Sequence, residues 1–182
     1  MFENYDASIV LQTENLTLRT LRYSDREAVF RNIANDKDVL RYYVMNYVDS
    51  LEKFSLERTV DYFIDRKRYA FAIILKLTDE VIGMIHQCNS ADDVFRTTEI
   101  GYALGKQYWN HGYMTEALDA VITFLFSIGI HKVFCTHIVE NAASGRVMQK
   151  CGMTAEEGIR PEELFYNGKY HDLKAYYKIN RS

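Results

Sequence analysis

The sequence predicts a mixed α/β protein built on one central sheet. Strand-like and helix-like runs alternate through the middle of the chain, and antiparallel hairpin signals stand on both sides of that stretch. The 182 residues, 48% of them apolar and 14% aromatic, supply enough side chain for one sizeable core. One domain spanning residues 1–182 is expected, because a single proline, Pro161, and the lack of any Gly/Ser-rich tract leave no linker.

The elements follow in order. Residues 16–21 read as a strand, and Ser24 with Glu27 has capping-box spacing ahead of an apolar face at Ala28, Phe30, Ile33 and Ala34. A second helix carries Leu56, Val60, Phe63 and Ile64 on one stripe and ends at the basic run Arg66, Lys67, Arg68. Residues 69–77 and 81–88, rich in Phe, Ile and Val, predict a hairpin turning at Thr78, Asp79 and Glu80. Residues 98–104 (TEIGYAL) predict a third central strand ending before Gly105. The next helix carries Leu118, Val121, Ile122 and Leu125 and stops at Gly129. Residues 132–139 predict a strand, Ala142–Lys150 a short helix ended by Gly152, and Asn167-Gly168 the type I′ turn of a tail hairpin.

Composition excludes several functions. With 22 basic against 25 acidic residues the net charge is −3, so no broad nucleic-acid or anionic-membrane surface is expected. Cys88, Cys135 and Cys151 are far apart and form no C-x-x-C pair, which argues against a disulfide framework or zinc knuckle and for reduced thiols in the cytoplasm. No metal site is expected. The N-terminal run MFENYDASIV has neither a basic n-region nor a long apolar h-region, so neither a signal peptide nor a membrane span is expected.

Residues 109–117 (WNHGYMTEA) join the third central strand to a helix. Such a junction presents backbone N–H groups without intrahelical partners at the positive end of the helix dipole, an arrangement that attracts anions. Gly112 would allow close approach of the backbone to phosphate oxygens, and Thr115 could cap the helix or donate its hydroxyl. The motif G-x-G-x-x-G is missing, and neither Gly105-Lys106 nor Gly168-Lys169 sits in a P-loop frame. From this loop alone an ordinary strand-to-helix turn with one glycine is the favoured reading.

Six ordered segments change that balance. LTLRTLRYSD, VIGMI, EIGYAL, YWNHGYMTEAL, ENAASGRVMQKCGM and FYNGKYHD, spread over nearly the whole chain, resemble the GNAT acetyltransferases, and within them the branch that acetylates ribosomal-protein N-termini. The resemblance implies a mostly antiparallel sheet flanked by helices, and an N-acetyltransferase using acetyl-CoA as acyl donor co-substrate. It implies that the Q/R-x-x-G-x-G/A loop, occupied here by Trp109, Gly112 and Met114, holds the CoA pyrophosphate on main-chain amides, with Tyr102, Leu104, Asn110, His111, Tyr113 and Thr115 around it. Asn141 and Ser144 fill the family's N-x-x-S, for the pantetheine arm and the departing thiolate. Met148 stands seven residues beyond Asn141, where many relatives carry a tyrosine acid, and a thioether cannot donate a proton.

The implied reaction is direct attack of an amine on the thioester carbonyl, with the oxyanion held by a strand N–H after a bulge in the central strand. Glu99 is the candidate base. His86 and His137 read instead as core or surface histidines, while His111 could favour phosphate when protonated. Tyr42, Tyr43, Tyr166 and Tyr170 are the acceptor-side candidates, with Tyr47, Asn167, His171 and Asp172 near them. The acceptor reads as a protein or peptide N-terminus. A small-molecule amine (polyamine, amino acid or drug) is the alternative, and a weakly catalytic CoA-binding module the second. A homodimer is compatible with the sequence.

Overall fold

The computed structural model describes residues 6–89 and 95–181. The first five residues of the N-terminal run and the stretch 90–94 lie outside them. Among the described residues a nine-stranded sheet runs in the order β1 (Val10–Gln12), β2 (Leu16–Thr20), β3 (Ala70–Leu75), β4 (Glu80–Gln87), β5 (Thr97–Leu104), β6 (Lys132–Ile138), β9 (Lys169–Ile179), β7 (Thr154–Ala155), with β8 (Arg160–Tyr166) also paired to β9. Every pairing is antiparallel except β5 with β6. That parallel ladder joins only Thr97, Thr98 and Glu99 to Lys132, Val133 and Phe134. Beyond it the two strands part, and the gap between them is the mouth of the cleft described below.

Helices cover both faces. On one side α3 (Tyr113–Ser127) buries Leu118, Val121, Ile122 and Leu125 against Leu18, Phe71, Ile73, Ile85 and Val133. Both partners are apolar and almost fully removed from water, which for side chains of this size contributes about 1.5–3 kcal/mol each. The helix ends as Gly129 predicts: Gly129 has φ +93°, its N–H donates to Phe126 O and that of Ile130 to Leu125 O. The same closure ends α4 (Ala142–Lys150), where Gly152 and Met153 donate to Gln149 and Met148.

On the other side α1 (Arg26–Val29), extended by a π-type turn over Phe30–Ala34, and α2 (Glu57–Asp65) form a second core with Ala70, Ala72, Ile74 and Met84. Two expectations need correction here. The cap ahead of α1 is made not by Ser24 and Glu27 but by Asp25, which accepts from the Arg22 N–H at 2.8 Å and takes the Arg19 guanidinium on both oxygens, at 2.7 and 2.8 Å. A buried carboxylate so paired outweighs a local surface motif. On α2, Leu56, Val60 and Phe63 are buried, whereas Ile64 lies at 44% exposure because the stripe has rotated off the sheet by the last turn.

The β3–β4 hairpin forms as predicted, with a register shift between Ile73 and Ile74. The bulge expected in the central strand is not seen in the β4–β5 register, which runs unshifted from Gly83↔Leu104 to Gln87↔Ile100. The tail hairpin turns at Asn167 (φ +50°) and Gly168 (φ +79°), the two left-handed residues a type I′ turn requires. Among the described residues no helix is long and apolar enough to cross a membrane.

Candidate active site

A cleft of about 940 Å³ opens where β5 and β6 separate. Its walls come from β5 (Glu99 to Leu104), the loop after β5, the heads of α3 and α4, Thr136 to Ile138 of β6, Tyr42 to Val44, and Arg160, Glu163, Leu164 and Leu173 of the tail.

The loop between β5 and α3 is shaped by backbone. Asn110 (φ +65°) and Gly112 (φ +85°) are both left-handed, on either side of His111. A Cβ at Gly112 would meet nothing within 4 Å, so the glycine answers to conformation and not to crowding. Gly112 is the N-cap of α3 and no side chain caps it, so the amides of Gly112, Tyr113, Met114 and Thr115 have no partner within the helix and face the positive end of its dipole. Thr115 therefore sits inside the first turn and does not cap. Met114 is 7% exposed, its side chain in the core and its amide in the loop. Trp109 donates its indole N–H to the Leu104 carbonyl at 2.8 Å, fastening the loop to the end of β5. His111 is exposed, stacks on Tyr113 at 5.5 Å and does not line the cleft. The unpaired amides at a glycine turn fit a pyrophosphate, the polar head of acetyl-CoA.

Across the gap, Asn141 caps α4, its side chain accepting from the Ser144 N–H at 3.4 Å, and it lines the cleft as well. Ser144 Oγ lies 2.9 Å from the Tyr102 hydroxyl, which is also 3.2 Å from the Ser144 carbonyl. Burial pushes the Tyr102 phenol well above its ordinary pKa, so it stays protonated. Met148 is fully buried and contributes core, not chemistry.

Glu99 enters from β5. Thr136 donates to its Oε1 at 2.7 Å, and its own N–H donates to Asn89 Oδ1 at 2.8 Å. One carboxylate oxygen is thereby fixed and the other left to the cleft. Beside it, the Tyr43 hydroxyl meets His86 Nε2 at 3.0 Å. Desolvation lowers the His86 pKa to about 4, and the nearby Arg68 charge adds to this. The imidazole is thus neutral at pH 7, with the Arg68 guanidinium nearby.

Sequence reasoning left His86 as a core or surface histidine, yet it lines the cleft. The available signal was Gly101: in the β4–β5 register it stands opposite His86, and a Cβ there would come within 2.9 Å of Cys88 Sγ and 3.1 Å of His86 Cε1. Thr136, Arg160, Glu163, Leu164 and Leu173 were also missed, since only tertiary placement brings them in. Tyr42 and Tyr43 line the cleft as expected; Tyr47, Tyr166 and Tyr170 do not. Tyr47 lies at 45% exposure beneath the Lys37 ammonium, and Tyr170 packs edge-on against Phe165 at the hairpin tip. Tyr166 points its hydroxyl at the carbonyls of Leu40, Tyr43 and Met45, at 2.8, 2.9 and 3.2 Å, and so holds in place the segment that carries Tyr42 and Tyr43.

Residues 15–154 match the acetyltransferase (GNAT) domain family, and the chain belongs to that family. It is an N-acetyltransferase, of a family that uses acetyl-CoA. The chain is 30% identical over 170 residues to the uncharacterised N-acetyltransferase YoaA of Bacillus subtilis, covering 92% of this chain and 94% of that one. Its fold resembles the ribosomal-protein-S5-alanine acetyltransferase of Vibrio fischeri (TM-score 0.82, 20% identity, 95% and 97% coverage). It also resembles the spermidine N-acetyltransferase of Vibrio cholerae in complex with CoA and spermine (TM-score 0.78, 23% identity, 92% and 96% coverage).

Proposed function

We propose that this chain, as one domain in the cytoplasm, moves the acetyl group of acetyl-CoA to a lone α-amine, the N-terminus of a protein or peptide of the ribosomal-protein type. The charge balance of the acceptor half carries this reading. Asp38 is engaged by Arg41 and Lys106, and Glu163 by Arg160, while among the described residues no ion pair reaches Glu99. A polyamine calls for several free carboxylates; of those lining the cleft only Glu99 and Glu140 stand outside an ion pair among the described residues, and Glu140 lies beside Asn141 at the head of α4, away from the Tyr43–His86 corner.

Acid–base arithmetic agrees. At pH 7 an α-amine of pKa about 7.7–8.0 is roughly 10–20% neutral, whereas lysine, at about 10.4, is roughly 0.04% neutral. Glu99, with one oxygen held by Thr136, accepts the proton the amine gives up as nitrogen attacks the thioester carbonyl. On the donor side the amides of Gly112 to Thr115 take the pyrophosphate, Asn141 the pantetheine arm, and the Ser144 hydroxyl the departing sulfur. Backbone N–H groups on the unpaired edge of β5 are suited to the oxyanion. Alignment of two reactants supplies much of the rate, since effective molarities reach about 10⁵–10⁸ M.

The experiment is a screen of CoA thiol release with peptides beginning in Ala or Ser beside polyamines, amino acids and aminoglycoside-like amines. Peptide turnover well above every small amine is expected. Turnover confined to small amines would move the acceptor to that class, the alternative that the fold it shares with the spermidine enzyme keeps open.

A further inference from the structure

The hydroxyl of Tyr102 and that of Ser144 face each other across the β5–β6 gap at 2.9 Å, one from the sheet and one from the head of α4. We propose that Tyr102 is a positioning residue for the leaving group: by donating to Ser144 Oγ it turns the serine proton toward the sulfur of the departing CoA. This rests on the placement of Ser144 against the sulfur given above.

The direction of the bond follows from the two hydroxyls. A phenol, of pKa about 10, is a far stronger hydrogen-bond donor than an aliphatic alcohol, so the phenol donates and the serine accepts. The Ser144 carbonyl, at 3.2 Å from the same hydroxyl, is the more distant acceptor. With one Oγ lone pair taken, the serine hydrogen is free to point into the cleft, and donation into Oγ polarises that O–H further. Met148 offers no proton donor along α4, and the aromatic ring of Tyr102, partly buried against the core, keeps its hydroxyl in place.

The step balances without any further reagent. The amine nitrogen bonds to the carbonyl carbon, the C–S bond breaks, and its electron pair goes to sulfur. The amine proton passes to Glu99. The thiolate is stabilised by the Ser144 hydrogen bond and takes its proton from water on release. Tyr102 gains and loses no proton, in keeping with a phenol that burial holds neutral.

The test compares wild type, Tyr102→Phe, Ser144→Ala and the double variant in single turnovers, using acetyl-CoA and, separately, the acetyl thioester of 4-nitrothiophenol, whose thiolate needs little help to leave. With acetyl-CoA each single variant should slow about 10- to 100-fold, the loss expected for one hydrogen bond to a developing charge. CoA affinity should hold, and the double variant should be no slower than the slower single one. With the aryl thioester the defect should shrink to within about threefold.

A Tyr102→Phe enzyme as fast as wild type, equal slowing with both donors, or additive losses would each overturn the proposal. Slowing in Ser144→Ala alone overturns this inference and leaves the leaving-group role of Ser144 standing; no effect in Ser144→Ala overturns both. Should Tyr102→Phe fail to fold, 2,3-difluorotyrosine at 102 keeps the ring and strengthens the donor. It should speed acetyl-CoA turnover and leave the aryl thioester unchanged, and the reverse pattern would sink the idea.

Discussion

Trp109 and Leu104 are joined by a hydrogen bond of 2.8 Å from indole N–H to carbonyl, across the turn that leads from β5 into the head of α3. The indole N–H is thereby spent on the protein's own backbone, and although the ring lines the cleft the ligand-facing donors are left to the main chain. Trp109→Phe keeps a ring and loses the donor. It should cost about 0.5–1.5 kcal/mol of stability and weaken CoA binding several-fold, read by thermal unfolding and by titration with CoA. CoA affinity unchanged to within error would show that the staple does not set the loop.

Gly112 tests the same loop through conformation. Any L side chain at φ +85° is strained although the space around it is open, so Gly112→Ala should lose about 1 kcal/mol and Gly112→Val more, with Gly112→Asn the mildest. Urea unfolding orders the three. Equal losses for Ala and Asn would point away from backbone strain.

Glu99→Gln preserves shape and the Thr136 contact while removing the proposed base. Acetyl transfer should fall about 10²-fold or more at neutral pH with CoA affinity retained. A fall of less than about threefold would mean that the carboxylate is not the proton acceptor.

His86 sets a stability–pH dependence. Its pKa is about 4 in the folded protein against 6.5 for an ordinary histidine, so between these values the unfolded chain binds more protons. Its contribution is complete above about 6.5 and is lost as pH falls through 4, by about 3 kcal/mol in all. Unfolding at intervals from pH 7 to pH 4 should show a steeper decline in wild type than in His86→Gln. Parallel curves would contradict the burial of a neutral imidazole between Tyr43, Cys88 and Arg68.

Gly101→Ala forces a methyl to 2.9 Å from Cys88 Sγ and 3.1 Å from His86 Cε1. It should destabilise by about 1–3 kcal/mol, break the Tyr43–His86 contact and raise KM for the acceptor more than for CoA. The two KM values, measured side by side, decide this.

Local chemistry explains which parts of the molecule could be read in advance. The stripe of α3, the two glycine-ended helices and the Asn167–Gly168 turn depend on residues within a few positions of one another, and they formed as predicted. Cleft membership depends on distant partners. Tyr166 and Tyr170 lie on a hairpin that does reach the acceptor side, but Tyr170 shares the Phe165 face, opposite to Leu164, and Tyr166 gives its hydroxyl to the carbonyls of Leu40, Tyr43 and Met45, while Arg160, Glu163 and Leu164 line the cleft. That Glu99 and Ser144 line the cleft was legible because short motifs carry them. Their partners, Thr136 and Tyr102, come from opposite sides of the gap, and no spacing in the chain joins them.

The parting of β5 and β6 also bears on how long the protein lasts. After the Glu99↔Phe134 pair the sheet has two inner borders with no ladder between them, in the middle of the molecule and not at its rim. A donor whose amide-bearing arm lay in that gap would act as a substitute strand. Binding energy then adds to folding energy as RT ln(1 + [L]/Kd), about 2.7 kcal/mol when the donor stands at about a hundred times its Kd. Resistance to heat and proteases is therefore expected to rise with acetyl-CoA concentration, and limited proteolysis with and without acetyl-CoA measures it.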